Sequence, residues 1–254
     1  MRKIYLLSLA LAMLISSSAW AKAIPYPADY DTKSSGASSA QLLGDVKDSP
    51  YFKTPDYYNM KSNDKGLTII SHYPTYQQTT EFTCGGAAAL TVLYYNGNQE
   101  FQELQMSKLM GTNYGRNANN EMGTSTKQMV DFFKGLGWQV QSSLDTANKD
   151  GISFTTLEEF TEFVQKNLKN NKPIMVENMY WGGHWRVIIG YDTMNTPQLH
   201  DDVLIFMDSY DTQDHKQDGY GVQSLAGFYY TWLDQDVMPK DQRIQQWLIA
   251  SPVE

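Results

Sequence analysis

The feature that most constrains the fold is a change of hydrophobic period halfway along the chain. Through residues 84–170 apolar side chains recur at helical spacing, and each run ends at a helix breaker: 84–95 at Asn96-Gly97, 99–109 before Gly111, 124–136 at Gly137, and 156–170 before Pro173. Thr156 with Glu159 three residues on forms a capping-box pattern, and Leu157, Phe160, Phe163, Val164 and Leu168 supply that helix with a buried stripe. From residue 173 the pattern becomes short β-branched runs, 173–178, 184–192 and 203–208, broken by Gly or Asn. A further helix over 224–233 and a closing strand over 243–250 complete the expectation. Helices first and sheet second predict an α+β domain spanning residues 51–254.

Upstream, Arg2 and Lys3, the apolar stretch 6–15 and Ala19-Trp20-Ala21 have the order of an export signal, so residues 1–21 are expected to be removed and the product to be periplasmic or extracellular. Cleavage leaves 233 residues (254 minus 21), and losing two basic residues moves the formal charge from -8 to -10. So acidic a balance argues against nucleic acid as a partner, and no later run is long and apolar enough to span a membrane. Residues 22–50 are polar and weakly patterned, which predicts a flexible leader or a propeptide.

Cys84 is the single cysteine, so no intramolecular disulfide is possible, and it opens the first helix of the domain. The free N–H groups of a helix start favour a thiolate there, which marks Cys84 as a candidate nucleophile. His184 opens an apolar strand after Gly182 and Gly183 and is a candidate general base, with an ordinary imidazole pKa near 6.5. Asp208 ends the next strand. If the two strands pair antiparallel across the 193–202 connection, its carboxylate reaches the imidazole, although Asp192, Asp211 and Asn195 also flank these strands. Gln78, six positions before the cysteine, is placed to join the Cys84 N–H in an oxyanion hole. Trp181, Gly183 and Trp185 surround His184 and are candidates to line a substrate cleft. His72, His200 and His215 are expected at the surface. No zinc spacing exists, and the acidic run 208–218 misses the calcium-loop pattern, so no metal or cofactor is expected.

Gln-x5-Cys-Gly at a helix head, then Gly-His before an apolar strand ending Gly-Tyr-Asp, then an Asp closing the next strand, resembles the papain-like cysteine peptidases. Among these it is most similar to the double-glycine, bacteriocin-processing peptidases and their stand-alone relatives, over roughly residues 66–215. The resemblance implies a nucleophile helix packed on an antiparallel sheet, a Cys84-His184-Asp208 triad with Gln78 at the oxyanion, and a peptide or protein substrate. Transporter-associated members of that family add a membrane region and an ATPase, for which this sequence has neither a second hydrophobic segment nor a Walker-type loop; Thr83 also stands where those members commonly have Asp. Two other functions fit the same residues: acyl transfer to an amine, as in transglutaminases and phytochelatin synthases, or peptide binding without cleavage.

Overall fold

The computed structural model describes residues 23–40, 55–212 and 216–253. The expected export signal, residues 22 and 41–50 of the expected leader, residues 51–54 of the expected domain and His215 lie outside the described residues. Seven helices, α1 (Gly36–Ala40), α2 (Cys84–Tyr95), α3 (Glu103–Met110), α4 (Thr126–Gly135), α5 (Ser143–Thr146), α6 (Leu157–Lys169) and α7 (Leu225–Tyr230), are described. The strands are β1 (Leu67–Ile69), β2 (Gln139–Ser142), β3 (Ile174–Asn178), β4 (His184–Asp192), β5 (Val203–Asp208), β6 (Tyr220–Ser224) and β7 (Gln246–Ser251). They form one antiparallel sheet in the order β2-β7-β3-β4-β5-β6, with β1 pairing the far end of β4. The domain is therefore α+β, as the change of period predicts.

β4 is the central strand. Its first half pairs β3 and its second half β1, while β5 runs along its other edge with a bulge between Ile188 and Gly190. Strands covered on both faces need no polar alternation, and every residue of β4 before Asp192 is buried. α2 is apolar nearly all round, Ala87, Ala88, Ala89, Leu90, Val92 and Leu93 being almost fully buried, because it lies between α3 and β4. That packing is close: a Cβ at Gly86 would sit 2.3 Å from Ser107 Oγ on α3. A side chain there would push the helix, and the residues at its head, away from the sheet.

Residues 23–40 differ from the free leader expected of their composition. The Ile24 N–H donates to Thr75 O (2.8 Å), the Tyr26 hydroxyl to Gln77 O (2.9 Å), and the Ser38 N–H to Gln78 O (3.1 Å), while Ala37 is fully buried. Small residues such as Gly, Ala and Ser read as linker, but here they permit close approach to the 75–81 backbone.

Candidate active site

Four segments meet at the head of α2. Thr83 occupies the cap position without capping: its hydroxyl donates instead to Glu103 Oε1 (2.5 Å), so no side chain accepts from the first N–H groups of the helix. They remain for an anion at Cys84. Below them, Glu103 is fully buried and receives the Thr79 N–H (2.9 Å), the Thr79 hydroxyl (2.7 Å) and the Tyr76 hydroxyl (2.8 Å) as well. One carboxylate therefore fixes the whole 76–83 approach to the cysteine. Burial pushes Glu103 above the usual carboxylate range, with the hydroxyls and the N–H opposing.

His184, 2 % exposed, shares a bond of 2.7 Å between its Nε2 and Asp208 Oδ1, and Cys84 lies near enough to the ring to favour its protonated form. With Nε2 held by the carboxylate, Nδ1 is the nitrogen left for sulfur. The strand register pairs Asp208 with Arg186, not with His184, so the imidazole reaches the carboxylate diagonally, two residues along the same face of β4. Arg186 lies with its guanidinium carbon 4.1 Å from the centre of the Phe206 ring and 4.7 Å from that of Tyr180, and donates to Gln223 Oε1 (2.8 Å).

Burial is the largest influence on His184 and favours the neutral ring, but the Asp208 charge and hydrogen bond, with Cys84, outweigh it and hold the ring at about 9. Burial likewise opposes the Asp208 anion, yet His184, Arg186 and the Tyr210 N–H keep that carboxyl below its usual range. The consequence differs from a histidine of ordinary pKa waiting to accept a proton: the raised pKa favours the imidazolium at neutral pH.

Gln78 is buried and anchored at both ends of its amide. Its Oε1 accepts from Ser209 Oγ (2.9 Å) and its Nε2 donates to Thr80 O (2.8 Å), while its backbone N–H donates to Ser209 O (2.9 Å). An amide has two N–H bonds, and the bond to Thr80 O uses one of them. Gly183, at φ 131°, leaves no room for a side chain: a Cβ would lie 2.4 Å from Val237 Cγ2. The two tryptophans part company. Trp181 is 61 % exposed and has its ring centre 5.6 Å from that of Tyr210, whereas Trp185 is buried, donating its indole N–H to Thr124 O (2.8 Å) beneath α2. Trp185 therefore belongs to the support of the helix rather than to a solvent-facing wall.

The other acids considered for the third position lie elsewhere. Asp192 ends β4 eight residues from His184, and its Oδ1 accepts the Met194 N–H (2.8 Å); Asp211 receives the Gly219 N–H (3.0 Å). Asn195 is in the turn after β4, and His72 and His200 are exposed. Among the described residues no three His, Cys, Asp or Glu side chains are grouped to hold a metal ion, and no helix is long and apolar enough to cross a membrane. Sequence reasoning missed Glu103, Arg186, Ser209 and Tyr210. Of these only Arg186 left a signal, the alternation that puts it on the His184 face of β4.

Comparison with known proteins gives a family match and similarity to solved structures. The family model described as "Peptidase_C39 like family" matches residues 70–236, which contain all four polar groups of this site. A solved structure, the peptidase domain of Streptococcus ComA, described as a bi-functional ABC transporter involved in a quorum sensing pathway, is 15% identical, covering 72% of this chain and 100% of that one with a TM-score of 0.39. No curated protein matches.

Proposed function

Since the chain belongs to the Peptidase_C39-like family, we propose that it is an exported cysteine peptidase hydrolysing peptide bonds through Cys84, His184 and Asp208, with Gln78 at the oxyanion. The observation that carries this reading is the buried imidazole bonded to the Asp208 carboxylate at 2.7 Å, with Cys84 near enough to raise the ring's pKa. With the Cys84 proton already transferred to His184, the thiolate sulfur attacks the scissile carbonyl carbon, and the electron pair moves to oxygen, where the Cys84 N–H and the Gln78 amide N–H not bonded to Thr80 receive it. His184, already protonated, gives its proton to the leaving amine as the C–N bond breaks and an acyl thioester forms. The neutral ring then takes a proton from water as it attacks the thioester, and release of the acid restores the imidazolium. Asp208 keeps the ring oriented and offsets its charge throughout. The exposed Trp181 ring beside Tyr210 offers an apolar wall for the substrate chain.

Digestion of a proteome-derived peptide library tests the proposal. Wild type is expected to generate new termini that Cys84→Ala does not. Identical termini from both, or none from a folded wild type, would overturn it, and added amines appearing in the products would replace hydrolysis by acyl transfer.

A further inference from the structure

A second pair of acids lies behind the site. Glu177 stands on β3 in register with Trp185, hence on the sheet face beneath α2, and is 2 % exposed; Asp234, in the connection from α7 to β7, is 4 % exposed. Their oxygens close over Gly183, the residue before His184: a Cβ placed there would lie 3.0 Å from Asp234 Oδ2 and 3.6 Å from Glu177 Oε1. Asp234 Oδ1 is satisfied, accepting the Val237 and Met238 N–H groups at 2.9 Å each. With both acids ionised, Asp234 Oδ2 and both Glu177 oxygens have no hydrogen-bond partner. Among the described residues no cation forms an ion pair with them. The guanidinium of Arg243 donates to the Met238, Gln235 and Asp236 carbonyls and its charge favours the Asp234 anion, while Cys84 and the His184 backbone N–H act on Glu177.

Two buried carboxylates closing over the same glycine disfavour a double charge, but one shared proton satisfies both. Two N–H donors already stabilise the Asp234 anion, so the proton belongs on the other partner. We infer that Glu177 is a neutral acid donating to Asp234 Oδ2, and that this bond is a positioning device that clamps the turn carrying His184 without placing an anion beside the Cys84 sulfur. Burial first, then the Asp234 and Cys84 charges, push Glu177 well above the usual carboxylate range, in agreement with this arrangement. The clamp is reinforced by backbone: Met179 N–H donates to Leu233 O (2.7 Å) and the Trp232 indole N–H to Glu177 O (3.0 Å). β3, the 180–183 turn and the 232–238 segment are thereby tied together, so the imidazole starts from a fixed position.

The inference rests on the peptidase reading for its purpose, but two measurements test it without peptide hydrolysis. Infrared difference spectra of the full chain at pH 7 are expected to show a protonated carboxyl band that Glu177→Gln abolishes. The pH profile of Cys84 alkylation by iodoacetamide is expected to superimpose for wild type and Glu177→Gln, because neither carries a charge at 177, whereas Glu177→Ala loses rate through a loosened turn. A Glu177→Gln profile displaced to lower pH by about one unit, the sign expected when an anion beside a thiolate is removed, would overturn the inference. So would a wild-type spectrum without the band. If Glu177→Gln does not fold, Asp234→Asn gives the same decision: with an amide N–H facing it, Glu177 ionises, so loss of the band and a profile moved upward are expected, and an unchanged profile refutes the neutral acid.

Discussion

Replacing Asp208 by Asn exposes how much of the site depends on one carboxylate. In the wild type the ring is held at about 9 against an ordinary 6.5. That difference of roughly 2.5 units, at about 1.36 kcal/mol each, is a preference of about 3 kcal/mol for the charged ring. Burial, the largest influence and an opposing one, remains in Asp208→Asn, with only Cys84 left to resist it and Arg186 left as a nearby unpaired cation. The midpoint should therefore drop below 6.5. At pH 8 the ratio of protonated to neutral ring falls from roughly 10:1 to about 1:30 or less. Titration of the labelled His184 ring by NMR reads this directly, with exposed His72 and His200 as internal controls. A midpoint within about half a unit of wild type would refute the electrostatic account. Stability carries the same signature. A folded-state pKa raised above the unfolded one makes the His184 contribution complete below pH 6.5 and loses it as pH climbs through about 9, while the lowered Asp208 contribution is present above about pH 4 and lost as pH falls. Both describe one bond. Denaturant midpoints should thus decline from pH 6.5 to 9 in wild type and show no such decline in Asp208→Asn.

Other variants follow from the supports of the site. Glu103→Ala orphans the Thr79 N–H and three hydroxyls and should cost on the order of 3 kcal/mol or more in urea unfolding, with Glu103→Gln recovering only part of it. Gly183→Ala meets Val237 Cγ2 at 2.4 Å with φ at 131°, so a loss of about 1–3 kcal/mol and a lower kcat are expected from thermal melts and peptide assays. A chain begun at residue 41 loses the contacts of residues 23–40 with 75–81; kcat should fall more than KM rises, because Gln78 is loosened.

Much of this organisation was legible in the residues. α2, β4 and β5 occupy the spans their apolar runs predict, because a run buried on both faces declares its length and the flanking polar residues declare its ends. The antiparallel pairing of β4 with β5 then brings His184 and Asp208 within reach. Where pattern was weak, reading failed. β2 is an edge strand of sequence Gln-Val-Gln-Ser and β6 follows an acidic run, so neither offers an apolar stretch. α3 begins at Glu103, later than the periodicity over 99–109 suggests, and its first residue is buried to serve the Thr79–Thr83 loop, which is the reverse of what a charge at a helix start implies. Glu177 with Asp234 was unreadable for a similar reason. A glutamate among apolar neighbours and an aspartate 57 positions later (234 minus 177) carry no local signal, and only the fold brings them over Gly183.

The most direct test of the central claim is the rate at which iodoacetamide alkylates Cys84 at pH 6. A sulfur facing an imidazolium should react at least roughly tenfold faster than a model thiol such as glutathione, and the advantage should vanish in His184→Ala. A Cys84 that reacts no faster than glutathione, or equally fast without His184, would contradict the ion pair on which the proposed chemistry stands.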